Sequence, residues 1–105
     1  MADMFQLMQQ ASQMKARMEE MQQSLQNRTV TGTAGGGMVS VDADGAGTVR
    51  RVKIDPTVVN ASDVEMLEDL ILVAVSEAQK KATALAQEEL GKLTGGMNLP
   101  FKLPF

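Results

Sequence analysis

The apolar spacing of the opening stretch limits what this chain can become. Between Asp3 and Asn27, the residues Met4, Leu7, Ala11, Met14, Met18, Met21 and Leu25 follow one another at intervals of 3, 4, 3, 4, 3 and 4. This is an a/d heptad with a period of 3.5, the repeat of a helix that lays a narrow seam against another helix. Neither Gly nor Pro interrupts it, and the intervening residues are nearly all good helix formers. The spacing therefore predicts a long helical arm over residues 1–27. Its seam is rich in Met, which is soft and specifies a partner less sharply than Leu or Ile. Packing against a partner helix is preferred to a promiscuous ligand groove, because apolar helical stripes are ordinarily core.

At Arg28 the period changes. Thr29-Val30-Thr31-Gly32-Thr33 is β-branched and alternating, and Gly35-Gly36-Gly37 reads as a turn. Met38 to Asp44 alternates with period two, placing Val39, Val41 and Ala43 on one face and Asp42 and Asp44 on the other. After Gly45-Ala46-Gly47, the stretch Thr48 to Ile54 gives a third strand with Val52 and Ile54 on one face. Three short strands joined by glycine turns over residues 28–54 read as an antiparallel meander. Asp55-Pro56 closes it, since Pro cannot continue a ladder. The triple glycine lacks the Lys-Ser/Thr ending of a phosphate-binding loop and opens into no helix. Asp42 and Asp44 lack further acidic ligands at loop spacing, so a solvated strand face is the preferred reading over a hard-metal site.

Residues 62–93 read as a second helix. Ser62-Asp63-Val64-Glu65 has the form of a capping box with Ser62 as N-cap. Asp63, Glu65, Glu68 and Asp69 load its start with negative charge, which complements the helix dipole and accounts for the cluster without a catalytic role. Leu67, Leu70, Ile71, Ala74, Val75, Ala78, Ala82, Leu85 and Ala86 recur at helical spacing, and the many Ala permit close approach of another element. The helix is expected to end near Gly91, with a short continuation to Leu93. Gly95-Gly96 then break it. The remainder of residues 94–105 is a Pro/Phe tail suited to docking on a groove of this chain or of a partner.

Composition narrows the function. The 105 residues suit one small domain. They include no His, Cys, Trp or Tyr and three Phe. Ser-His-Asp and Cys-His catalysis lose their base, zinc loses its usual ligands, and haem and iron–sulfur centres lose theirs. No metal, cofactor, small-molecule substrate or enzymatic activity is expected. Nothing resembles a spanning segment or a signal peptide, so no membrane partner is expected and the cytoplasm is the default. A small core with few aromatics favours an oligomer that completes it.

The formal net charge is −3, which counts against a simple basic DNA coat. The distribution says more. Residues 62–93 carry three Lys against seven acids, whereas residues 28–54 carry four cations against two acids. Locally grouped cations can contact phosphates through counterion release even in an acidic protein. The candidates are Lys15 and Arg17 on the first helix and Lys80, Lys81 and Lys92 on the second. Arg28, Arg50, Arg51 and Lys53 stand in second rank. Ordinary surface charge is the competing reading, and charge alone favours it.

Several stretches together carry a resemblance. They are Leu7-Met8-Gln9-Gln10-Ala11 through Met21, Gly36-Gly37-Met38-Val39-Ser40-Val41, Val52-Lys53-Ile54-Asp55-Pro56, Glu65-Met66-Leu67-Glu68-Asp69-Leu70 and Gly95-Gly96-Met97-Asn98-Leu99-Pro100, with a final Pro104-Phe105. In this order the chain closely resembles the YbaB/EbfC family of bacterial nucleoid-associated proteins. The resemblance implies an α+β homodimer with a joint sheet and tweezer-like helical arms. It also implies binding of double-stranded DNA, a place in the nucleoid and a role in gene regulation. A meander with exposed edges and a heptad seam fit such a dimer. Leu7, Met14, Met18, Met21, Val39, Val41, Val52 and Ile54 are the expected dimer and core residues. Without a recognition-helix signature, contacts to the DNA backbone with low sequence specificity are expected. The competing function is a protein-interaction or chaperone-like adaptor that uses the coiled-coil arms and the tail.

Overall fold

Gly35, Gly36 and Gly37 take φ angles of 64°, 66° and 93°, in the left-handed region that side chains disfavour. They reverse the chain between β1 (Thr29–Ala34) and β2 (Val39–Asp44), and a second reversal leads into β3 (Val49–Ile54). The computed structural model describes residues 4–93. It adds α1 (Met4–Gln26) before the strands, then a 3₁₀ turn (Pro56–Val58) and α2 (Val64–Leu93) after them. The strands form an antiparallel sheet in the order β1-β2-β3. The α+β class expected from the sequence is the observed one. The expected tail, residues 94–105, lies outside the described residues.

Register decides which residues share a face. Gly32 pairs with Val41 and Val41 with Val52, while Thr31 pairs with Asp42 and Asp42 with Arg51. The first row faces α2. Gly32 has no room for a Cβ, which would lie 2.3 Å from both the Ala74 carbonyl oxygen and the Ala78 amide nitrogen. The repeat Ala74, Ala78, Ala82, all buried, therefore brings the α2 backbone directly onto the sheet. Val39, Val41 and Ala43 complete the core at zero exposure. Each fully buried Val contributes about 1.5–3 kcal/mol relative to leaving it in water.

Two local expectations are corrected. The N-cap of α2 is Asp63, not Ser62: Asp63 Oδ1 accepts from the Met66 amide at 3.2 Å. The Ser62 hydroxyl instead donates to Asn60 Oδ1 at 2.7 Å, in an Asx-type turn that holds it outside the helix. Asp44 does not share a solvated face with Asp42, because the strand ends there and its carboxylate turns back into the following turn, leaving it 3% exposed. Val52, expected among the dimer and core residues, shares a face with Val41 but is 45% exposed in the single chain, because α2 packs chiefly on β1 and β2.

The arm α1 meets the body through its C-terminal end. Leu25 is its one buried residue among those described, and Met21 is half-buried. The Leu25 carbonyl accepts from the Gly45 amide at 2.8 Å, so the β2–β3 turn satisfies a carbonyl at the helix end. Leu7, Met14 and Met18, expected as dimer or core residues, are 68%, 37% and 41% exposed. The seam reaches beyond the part of α2 that can cover it. Ile54 is half-buried and packs against the core cluster.

Candidate nucleic-acid interface

The nine basic candidates divide by what holds them. On the second hairpin, Arg50 Nε and Nη2 lie 3.0 and 2.8 Å from Asp44 Oδ2. Asp42 pairs with Arg51 and Ala43 with Val49, so Arg50 is the extra residue of a β-bulge, and the bulge aims it at the turn. Asp44 also accepts from the amides of Ala46 at 2.9 Å and Thr48 at 3.1 Å. The Thr48 amide foremost, helped by Arg50 and the Ala46 amide, holds the Asp44 carboxyl below its ordinary value against the opposing effect of burial. Arg50 is thus a clamp of the hairpin, a role hidden in sequence because it depends on the bulge.

Three more cations are engaged. Lys81 Nζ donates to the Thr31 carbonyl at 2.8 Å on β1, an edge strand, and pairs with Glu77 at 3.2 Å. Lys92 pairs with Glu89 at 3.3 Å and Glu88 at 3.9 Å, and Arg28 reaches the same Glu89 at 3.4 Å. These are exposed pairs worth little, of order ~0–1 kcal/mol, and a phosphate can compete for such cations. The contact from Lys81 to a backbone carbonyl is different, because it also occupies a hydrogen-bonding group at a sheet edge.

Lys15, Arg17, Lys80, Arg51 and Lys53 make no ion pair with another described residue. They lie in separate places. Lys15 and Arg17 are exposed on the middle of the arm, and Lys80 is exposed on the side of α2 away from the sheet. Arg51 and Lys53 stand on the sheet face opposite α2, beside the rows of Thr31, Thr33, Ser40 and Asp42. That face offers hydroxyls and two cations to solvent, with Asp42 already bound by the Thr31 hydroxyl at 2.8 Å. The single chain does not gather the nine candidates into one patch. Among the described residues, no three acidic or other ligating side chains come together to hold a metal. No described helix is long and apolar enough to cross a membrane.

Asp55 is a functional-looking residue with a local explanation. Its carboxylate accepts from the Thr57 amide at 2.9 Å and the Thr57 hydroxyl at 2.8 Å, capping the 3₁₀ turn, and these bonds lower its pKa. The Asp-Pro signal marks a strand end in the sequence but does not reveal this cap.

Comparison with known proteins matches this geometry. A nucleoid-associated protein of Gemmatimonas aurantiaca is 53% identical over 103 residues, covering 98% of this chain and 99% of that protein. One of Gluconacetobacter diazotrophicus is 52% identical over 99 residues, covering 94% of this chain and 92% of its own. The crystal structure of an uncharacterized protein from Helicobacter pylori has the same fold, with a TM-score of 0.81 at 23% identity over 90% of this chain and all of that one. The sequence profile of the YbaB/EbfC DNA-binding family matches residues 1–97. The chain belongs to the YbaB/EbfC DNA-binding family.

Proposed function

We propose that this protein is a nucleoid-associated DNA-binding protein that grips duplex DNA as a homodimer, through phosphate contacts and with little sequence preference. The observation that carries the reading is the family match over residues 1–97. The names of the relatives in Gemmatimonas aurantiaca and Gluconacetobacter diazotrophicus point the same way. The function is binding rather than catalysis, exercised by the 105 residues as one domain in the nucleoid. Bending or bridging of the DNA would follow from two arms on one duplex, and effects on gene expression from that.

The uncovered edge supports a dimer through β3. Val49 and Val52 are 37% and 45% exposed, on the face that α2 covers elsewhere. Leu72, 68% exposed, sits seven residues before Gln79 and so on the same flank of α2; Gln79 reaches Gly47 in the β2–β3 turn. Pairing two β3 strands would extend the sheet to six strands, cover these apolar groups and remove a free edge. On the opposite edge, Lys81 already occupies the Thr31 carbonyl of β1.

In such a dimer Arg51 and Lys53 of both copies would adjoin the twofold axis. Lys15, Arg17 and Lys80, free of internal ion pairs among the described residues, are the leading phosphate contacts on the helices. Lys81, Lys92, Arg28 and Arg50 rank after them because each already has a partner. A gel-shift titration of duplex DNA at two salt concentrations tests the function. Binding that weakens steeply with salt supports it. No retardation at low salt, for the parent and for a Lys15→Glu/Arg17→Glu variant alike, refutes it.

A further inference from the structure

The two edges of the sheet are unlike. β3 is bare, and its row on the α2 side holds Val49 and Val52, 37% and 45% exposed. β1 is closed by a side chain from another element. Lys81 of α2 donates from Nζ to the Thr31 carbonyl at 2.8 Å, and Glu77, one turn earlier, pairs with the same ammonium at 3.2 Å. The Arg28 carbonyl accepts from the Gly45 amide on the β2 side. By the alternation of an antiparallel pair, the backbone groups of Thr29, Thr31 and Thr33 point the other way, out of the free edge.

β1 itself offers no defence. Thr29–Ala34 contains neither a charge nor Pro, the usual devices that keep an edge from accepting another strand. The nearby flank of α2 is partly apolar. Val73 and Glu77 precede Lys81 by two turns and one turn on one flank, and Met66 precedes Val73 by two more. Met66 and Val73 are 39% and 54% exposed.

The strand that fits beside β1 is β3 of a second copy. Gly32 sets the α2 backbone directly on β1, so pairing β1 with another β1 would press two α2 helices together. Neighbouring strands lie about 4.8 Å apart, and packed helices need about 8–10 Å. A second copy's β3 brings no helix with it, because its α2 packs chiefly on β1 and β2. It would lay Val49 and Val52 beside the Met66 and Val73 flank. Such a contact is head-to-tail and leaves a free β1 and a free β3 at its ends, so it propagates. Pairing β3 with β3 closes at two copies.

We propose that Lys81 selects the closed pair over the open chain. The β1 edge is a self-association surface for β3 of a second copy, held shut by this one side chain. The ammonium occupies the acceptor that an incoming strand needs. It also meets that strand with like charge, since β3 carries Arg50, Arg51 and Lys53. That the permitted assembly is a pair rests on the β3 joint of the proposed dimer; the latch on β1 does not.

The test uses the full chain without nucleic acid, with mass read by light scattering over a concentration series. Lys81→Met keeps the apolar stem and removes both the charge and the donor. Its mass should rise with concentration to at least double that of the parent, whose mass stays constant. Lys81→Arg should behave as the parent. In Lys81→Met/Thr33→Pro the mass should return to the parent value, because Pro removes an outward amide that the sheet does not use. An unchanged mass for Lys81→Met would overturn the proposal. So would growth that Thr33→Pro does not reverse, whether through another surface or through misfolding. The parent's own mass reports the β3 joint separately: a monomeric parent refutes that joint and leaves the comparison of variants intact.

Discussion

Arg50 reaches across the second hairpin to Asp44, with Nε and Nη2 both within 3.0 Å of a single carboxylate oxygen. The same carboxylate accepts two turn amides through its other oxygen, so an acid that is 3% exposed has all its strong partners charged or aimed at it. The hairpin is organised around the ionised form of this group.

The pH dependence derives from that arrangement. The folded pKa of Asp44 is depressed, chiefly by the Thr48 amide, so its stabilisation is complete above the unfolded value near 3.8 and is lost as pH falls through the folded value. Thermal melts should show Asp44→Asn less stable than the parent at pH 7, with the difference narrowing below about pH 4. Asp55 is depressed in the same direction, so some acid sensitivity persists in the variant. A difference that stays constant from about pH 7 to about pH 3 would refute the assignment.

Gly32 should tolerate no side chain. Its Cβ would meet backbone atoms of Ala74 and Ala78 at 2.3 Å, and neither can yield without lifting α2 off the sheet. Denaturant unfolding of Gly32→Ala should show a decrease in stability of about 3 kcal/mol or more. Gly36→Ala meets nothing within 4 Å and suffers from its positive φ alone, at about 1–2 kcal/mol. The order of these two costs is the measurement.

Charge reversal should separate engaged cations from available ones. Arg51→Glu/Lys53→Glu and Lys15→Glu/Arg17→Glu should each weaken duplex binding and flatten its salt dependence, by about 0.9 in log–log slope for each phosphate no longer neutralised. Lys81→Gln should disturb stability more than affinity, since Lys81 holds the β1 edge. Fluorescence anisotropy over a salt series reads both quantities. An unchanged slope in both double variants would remove these residues from the interface.

The proposed sheet edge has its own test. Val52→Lys places a charge on the uncovered row of β3 and should shift the light-scattering mass from dimer to monomer. Thr33→Lys, on β1 and on the outer face, should leave the mass unchanged. A dimer that survives Val52→Lys would rule out β3 as the joint.

The strands are legible in the sequence because Val39, Val41 and Ala43 alternate and glycines bracket them, and because the covered face follows from a period of two. The helices are legible from spacing. Less is legible where an outcome depends on groups far apart in sequence. Ser62 and Asp63 both fit an N-cap, and Asn60 decides between them by holding Ser62. Asp44 reads as solvated because alternation does not register a strand end, a bulge or Arg50. Val52 carries the pattern of a core residue, yet coverage depends on where α2 lies, and Gly32 with its facing alanines draws α2 toward β1. The basic residues can be counted directly. Which of them are engaged depends on Glu77, Glu89, Asp44 and the Thr31 carbonyl, none of which is marked by local sequence.

The hydrogen bond from Gly45 to the Leu25 carbonyl makes the arm a lever whose fulcrum is a turn of the sheet. From Leu25 to Met4 the lever is about 31 Å long. A rotation of about 10° at the turn would carry its tip about 5 Å at that length, roughly the pitch of one helical turn. In the proposed dimer, the span between two such arms would depend on how stiffly each β2–β3 hairpin is held as well as on the arms themselves.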